Sequence, residues 1–102
     1  MKTIKEYINE SNTNVNIKDI LTRYKEANDL DSSKEEDMNK LNILSMDALE
    51  LYWHDKNFDK KVNDEIYDLY KKSWSLWLGK KNEEAKKSFI SVISQVLNQF
   101  KK

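Results

Sequence analysis

The longest apolar stretch of the chain, residues 41–53, predicts a helix at the centre of the fold. Nine of its thirteen residues are apolar or aromatic. On a helix of residues 34–54, the polar side chains would form one narrow strip consisting of Lys40, Asp47, Glu50 and His54. A helix that is apolar around most of its circumference is covered by neighbours on several sides. We therefore expect the remaining helices to pack around residues 41–53.

Three other segments, residues 17–28, 60–78 and 83–101, repeat apolar residues every three or four positions, the spacing of a helix face. The predicted inner faces are Ile17, Ile20, Leu21, Tyr24 and Ala27 in the first, Val62, Ile66, Leu69, Tyr70, Ser73 and Trp77 in the second, and Ala85, Phe89, Val92, Ile93, Val96 and Phe100 in the third. Tyr67, Trp74 and Leu78 are expected to widen the second face. A shorter helix is predicted for residues 3–10.

Polar residues before these segments predict where each helix begins. Ser, Asn and Asp side chains accept hydrogen bonds from the free amides of a first helical turn. The predicted N-caps are Asn16, either Ser32 or Ser33, Asp59 and Asn82. Gly79 is predicted to end the third of the four main helices in a left-handed conformation. Phe58 is expected to fold back onto the core.

The composition supports a helical protein rather than a sheet. The chain has 102 residues, no Pro and a single Gly, whereas strands and tight turns need many of both. We predict the all-α class, a compact antiparallel bundle of four main helices plus a short N-terminal helix. Residues 1–102 would form one domain, with the bundle in residues 16–102. No apolar run reaches the length of a transmembrane helix, so we expect no membrane partner.

Charge is distributed unevenly, although the net charge is zero. Residues 1–55 hold seven Lys or Arg and twelve Asp or Glu, a net of −5, and residues 56–102 hold eleven and six, a net of +5. The two halves could simply fold against each other. Alternatively, an anionic partner would meet a basic face made of Lys71, Lys72, Lys80, Lys81, Lys86, Lys87 and Trp74. A cationic partner would meet an acidic face including Glu35, Glu36, Asp37, Asp47 and Glu50.

Catalytic groups are sparse. Glu50 and His54 lie one helical turn apart, a spacing at which a carboxylate and an imidazole can hold a metal or move a proton. A metal site in a bundle needs ligands from further helices, yet the chain has one His and no Cys. Gly-rich phosphate loops and Ser-centred elbows are also absent. We therefore expect no enzymatic activity, cofactor or metal, and interpret Glu50 and His54 as part of a surface strip.

The opening residues, MKTIKEYINES, resemble the capsid-targeting leader of internal head proteins in T-even-type tailed phages. That leader reads Met-Lys-Thr, two variable residues, Glu, an aromatic residue, Ile, any residue, Glu and a small residue. The matching positions are Met1, Lys2, Thr3, Glu6, Tyr7, Ile8, Glu10 and Ser11. Residues 4 and 5 depart from the aromatic residue and Gln often found there. The resemblance implies that a prohead protease cuts between Glu10 and Ser11.

These observations favour a small, non-catalytic phage accessory protein that binds another protein. The resemblance implies a virion head protein, injected into the host cytoplasm, that inhibits a host factor. One alternative is an immunity or antitoxin-like bundle that neutralises a toxin through its acidic half. Another is a nucleic-acid-binding protein that uses the lysine doublets and Trp74. Neither the partner nor the oligomeric state follows from the sequence.

Overall fold

The computed structural model describes residues 16–100, which form four α-helices joined by short turns. The helices are α1 (Ile17–Ala27), α2 (Glu35–Trp53), α3 (Lys60–Leu78) and α4 (Asn82–Phe100). No strand occurs in this part of the chain. The prediction of an all-α bundle with four main helices is confirmed. The helix predicted for residues 3–10 and the proposed cleavage positions Glu10 and Ser11 lie outside the described residues.

Two of the four predicted N-caps are present. The Asn16 side chain accepts a hydrogen bond of 2.9 Å from the Asp19 amide at the start of α1. Asp59 accepts from the amides of Lys61 and Val62, at 2.9 and 3.3 Å, at the start of α3. Each carboxylate or amide oxygen therefore satisfies donors that the helix itself leaves unpaired.

The second predicted cap is wrong, because α2 begins at Glu35 and its N-cap residue is Lys34, which makes no side-chain capping bond. The Ser33 amide and hydroxyl donate instead to Asp31, at 2.9 and 2.6 Å. Asp37 in turn accepts a 2.8 Å hydrogen bond from the Asp31 amide. The acidic first turn of α2 therefore fixes the preceding loop rather than receiving a serine cap.

The ends of α3 and α4 meet in a turn that differs from the prediction. Gly79 has φ −81°, and the left-handed residue is Lys80, with φ 63°. The amides of Lys80 and Lys81 donate to the carbonyls of Trp77 and Leu76, at 3.0 and 2.9 Å. This is the paired arrangement that closes many helices, here with a lysine at the position that usually favours glycine.

Asn82 does not cap α4, because it is the first residue of that helix. Its side-chain amide donates a 2.8 Å hydrogen bond to the Ser32 carbonyl. The contact links the start of α4 to the loop between α1 and α2, which is 50 residues away in the sequence. A polar side chain predicted to act locally therefore holds two distant parts of the fold together.

The core lies where α2 and α4 meet, since each of these helices contacts the other three. The two helices supply most of the buried apolar side chains, namely Met38, Leu41, Leu44, Ala48, Leu49 and Tyr52 from α2 and Ala85, Phe89, Val92, Ile93, Val96 and Leu97 from α4. Helix α3 packs mainly against α4. Phe58 does fold back, with its ring centroid 5.4 Å from that of Tyr52.

The prediction that α2 is covered around most of its circumference is wrong for one side. Ile43, Met46 and Trp53 are exposed, although they belong to the apolar stretch. Three neighbouring helices cover three sides of α2 and none of the described residues covers the fourth. Tyr67 and Leu78 of α3 are likewise exposed and do not widen its inner face, whereas Trp74 is half-buried against the core.

Candidate functional site

A groove lies between α2 and α3 in the described part of the chain. It has a volume of about 550 Å³. It forms because α3 packs mainly against α4 and contacts α2 much less extensively. Helix α2 and the residue after it contribute Met46, Leu49, Glu50, Trp53 and His54, and α3 contributes Asn63, Tyr67 and Tyr70.

The groove is rimmed by large apolar and aromatic side chains that face solvent. Trp53 is 68% exposed, Met46 is 50% exposed and Tyr67 is 48% exposed. A second depression of about 480 Å³ shares Trp53, Tyr67 and Asn63 with the groove and extends to Phe58. Isolated exposed apolar residues are normal on a protein surface, but a contiguous set is typical of a binding surface.

A chain of buried hydrogen bonds supports the α3 wall of this groove. The Trp74 indole N–H donates to the Tyr70 hydroxyl at 2.7 Å, and the Tyr70 hydroxyl donates to Asn42 Oδ1 at 2.6 Å. Asn42 is buried in α2, so the chain links α2 to α3, and Tyr70 is the one of its three residues that lines the groove. The ring of Tyr67 lies 6.0 Å from that of Tyr70, which places the exposed tyrosine against a fixed one.

The groove also has polar side chains, among them Glu50, His54 and Asn63. Glu50 and His54 are exposed, whereas Lys40 and Asp47, the other two residues of the predicted strip, do not line the groove. Within residues 16–100, no cationic side chain lies close enough to Glu50 to form an ion pair. No three His, Asp or Glu side chains between residues 16 and 100 converge closely enough to hold a metal ion.

The residues of the predicted acidic face do not share one surface. Asp47 lies 2.9 Å from Arg23 of α1, and Asp37 is engaged with the Asp31 amide. Glu35 and Glu36 are exposed at the start of α2, whereas Glu50 is near its end, about 20 Å along the helix axis. Of the five, Glu50 is the one that lies in the groove.

The predicted basic face is also divided. Lys71 lies 3.2 Å from Asp68 and 5.2 Å from the centre of the Tyr67 ring. Lys72, Lys80, Lys81 and Lys87 are exposed. The sixth lysine, Lys86, points inward, and Trp74 is held by its bond to Tyr70 and by the Trp77 ring, 4.9 Å away.

Lys86 closes the C-terminal end of α1. Its ammonium group donates to the carbonyls of Asn28 and Leu30, at 2.9 and 2.6 Å. The last carbonyls of a helix have no partners within the helix and carry its partial negative charge, so a cation is favourable there. Lys86 therefore joins α4 to the turn after α1, and its charge is used within the fold.

Sequence reasoning missed the aromatic rim because it assigned Tyr67 to the core of α3 and Trp53 to the core of α2. A signal was present in α2. Ile43, Met46, Glu50 and Trp53 recur at steps of three, four and three, so they form one stripe with a charge in its middle. A carboxylate within an apolar stripe indicates that the stripe reaches solvent, since an unpaired buried charge is costly.

Comparison of the chain with known protein families, with curated proteins and with solved structures found no match. Among the helices of residues 16–100, none combines the length and the apolar character that crossing a membrane requires. The groove between α2 and α3 is therefore interpreted from its own geometry.

We expect Lys86→Met to destabilise the protein by about 1–2 kcal/mol, because the carbonyls of Asn28 and Leu30 lose a charged donor. The matched control is Lys87→Met, in the same doublet but exposed, which should change the stability by less than about 0.5 kcal/mol. Urea unfolding followed by circular dichroism measures both. Equal stabilities for the two variants would contradict the role assigned to Lys86.

We expect Tyr70→Phe to cost about 1–3 kcal/mol, because Asn42 Oδ1 and the Trp74 indole N–H both lose their partner. Tyr67→Phe is the control, since its exposed hydroxyl makes no hydrogen bond within the described residues. Thermal unfolding near neutral pH compares the two variants.

The same tyrosine predicts a loss of stability at alkaline pH. Burial raises the pKa of Tyr70 above its ordinary value of 10.0, and the neighbouring Tyr67 acts in the same direction, while the Trp74 hydrogen bond opposes the shift. Folding therefore favours the neutral phenol. Its contribution is complete below about pH 10 and is lost as the pH rises through the raised pKa. Wild-type stability should fall more steeply above pH 10 than that of Tyr70→Phe, and parallel curves would contradict this.

Proposed function

We propose that this protein acts by binding another protein through the groove between α2 and α3. The observation that carries the proposal is the exposure of Trp53, 68%, beside Met46 and Tyr67 on a groove of about 550 Å³. Tryptophan, tyrosine and methionine are enriched at protein interfaces, and Trp and Tyr often dominate their binding energy.

The groove combines exposed rings with a supported base, which suits binding. Trp53 and Tyr67 offer apolar area that becomes buried when a partner docks, and removing apolar area from water favours association. The hydrogen bonds through Tyr70 and Asn42 hold the wall in place before binding. A preformed surface loses less entropy when it binds than one that must first become ordered.

The N-terminal resemblance suggests where such binding takes place. If residues 1–10 act as a capsid-targeting leader, then the protein is a phage accessory protein carried in the virion head. Cleavage after Glu10 would leave all of α1–α4, and hence the groove, in the product. The target would then be a host protein met in the cytoplasm after injection, and its inhibition is the function that we propose.

The two alternatives have weaker support. An immunity or antitoxin-like role through the acidic half would use carboxylates that are spread along α2, with Asp47 and Asp37 already engaged inside the protein. Nucleic-acid binding would use Trp74 for base stacking, yet that ring is half-buried and donates its N–H to Tyr70. In the groove, by contrast, Trp53 is exposed and Glu50 has no ion pair within residues 16–100.

Capture from a bacterial lysate by the immobilised full-length chain tests the binding proposal. We expect at least one protein to be retained by the wild type and to be reduced about 10-fold or more by Trp53→Ser, as expected for an interface tryptophan. Leu78→Ser is the matched control, because Leu78 is 75% exposed but lies outside the groove. If Trp53→Ser retained as much of the protein as the wild type, the groove would be refuted as the binding surface. The same would follow if Leu78→Ser reduced retention as much as Trp53→Ser.

Mass spectrometry of purified virions tests the packaging proposal separately. Chains that begin at Ser11 are expected in mature heads, because the resemblance places the cut between Glu10 and Ser11. Finding only the full-length chain, or no chain at all, would count against packaging. Neither result would affect the binding proposal.

A further inference from the structure

We infer that the occupant of the groove is one amphipathic helix of the partner protein, which places a lysine or arginine against Glu50. The inference rests on the proposed function, namely that the groove between α2 and α3 binds a protein. It adds the secondary structure and the charge of the segment that docks there. Three features of the groove lead to it.

The first feature is that the groove walls offer no backbone hydrogen bonds. Both walls belong to α-helices, whose interior amides and carbonyls bond within the helix. A β-strand docked between them would find no sheet edge to pair with, and any of its backbone groups that the groove buried would stay unpaired, which is costly. A helix brings its backbone bonds with it, so it can lie in this groove without that cost.

The second feature is the spacing of the exposed residues on α2. Ile43, Met46, Glu50 and Trp53 form a stripe with steps of three, four and three residues. They span about 15 Å, close to three turns of a helix. This spacing is that of a seam along which a second helix packs side by side, with its own apolar residues between them. Of the four, Met46, Glu50 and Trp53 line the groove together with Tyr67 of α3, whereas Ile43 lines a separate depression beside α1.

The third feature is the charge at the centre of the stripe. The Glu50 carboxylate lies between Met46 and Trp53 and has no ion pair among residues 16–100. Lys60, which lines the adjoining depression, lies 3.5 Å from Asp64, and Lys71, beside the Tyr67 ring, lies 3.2 Å from Asp68. A docked helix would remove water from Glu50, and a charge removed from water needs an opposite charge beside it. The occupant must therefore supply a lysine or arginine at that point.

A library of random 16-residue peptides displayed on yeast tests the inference, with the full-length chain as the selecting protein. We expect enriched peptides to carry apolar residues three or four positions apart, with a Lys or Arg on the same face. Their binding should fall about 10-fold or more with Trp53→Ser and with Glu50→Lys. Leu78→Ser should leave it unchanged, because Leu78 lies outside the groove.

A second selection with Glu50→Lys sharpens the test of charge. It should enrich peptides that carry Asp or Glu where the first set carries Lys or Arg. Circular dichroism of the free Glu50→Lys protein should match the wild type, because Glu50 is exposed. Unchanged peptide charge between the two selections would overturn the assignment of Glu50.

Other outcomes separate this inference from the proposed function. Peptides that depend on Trp53 but are proline-rich, extended or acidic would overturn the helical basic occupant and leave the groove as a binding site. A failure to enrich any peptide would also overturn the inference of a helical occupant. The proposed function would still be tested separately, by the capture experiment from lysate. If the protein is a dimer and Trp53→Ser makes it monomeric, the occupant of the groove is a second copy of the chain. A roughly 10-fold gain in peptide affinity on replacing Ile4 and Ile8 with Ser would instead point to residues 1–15.

Discussion

The fold depends on the contact between α2 and α4, where two helices bury their apolar faces against each other. Small residues allow this close approach, since Ser45 and Ala48 of α2 are fully buried. The Ser45 hydroxyl donates a 3.2 Å hydrogen bond to the Phe89 carbonyl of α4, so this buried polar group is satisfied. The remaining helices are placed by this pair, because α1 and α3 each pack on it and have little contact with each other.

The candidate site exists because the neighbouring helices do not cover the whole apolar surface of α2. The apolar residues of α2 extend around more of its surface than three neighbours can reach. Helix α3 packs its apolar face mainly against α4, and a buried hydrogen bond from Tyr70 to Asn42 joins it to α2. The outer part of the space between α2 and α3 therefore stays open, with Trp53 and Tyr67 at its rim. Stability and the proposed binding thus depend on different sides of the same helix.

Polar side chains contribute to the fold mainly by linking elements that are distant in sequence. Lys86 and Asn82 of α4 both reach the turn region after α1, where they bond backbone carbonyls. Arg23 joins α1 to α2 through Asp47 at 2.9 Å. These contacts explain why two of the charges assigned to partner surfaces, on Lys86 and Asp47, are used within the protein. They also leave Glu50 as the carboxylate in the groove with no partner among the described residues.

The four helices between residues 16 and 100 could be predicted from the sequence alone. Their number, their bounds to within two residues and the caps at Asn16 and Asp59 follow from local periodicity and local hydrogen bonds, which depend on residues close in the chain. Only the tertiary structure decided which apolar side chains are covered. Ile43 and Leu44 are neighbours of similar character, yet one is exposed and the other is buried. The physical reason is that burial depends on where the other helices lie, and hydrophobicity alone carries no information about direction. The same holds for Lys86 and Lys87, whose different roles follow from the position of the Asn28 and Leu30 carbonyls in the turn after α1.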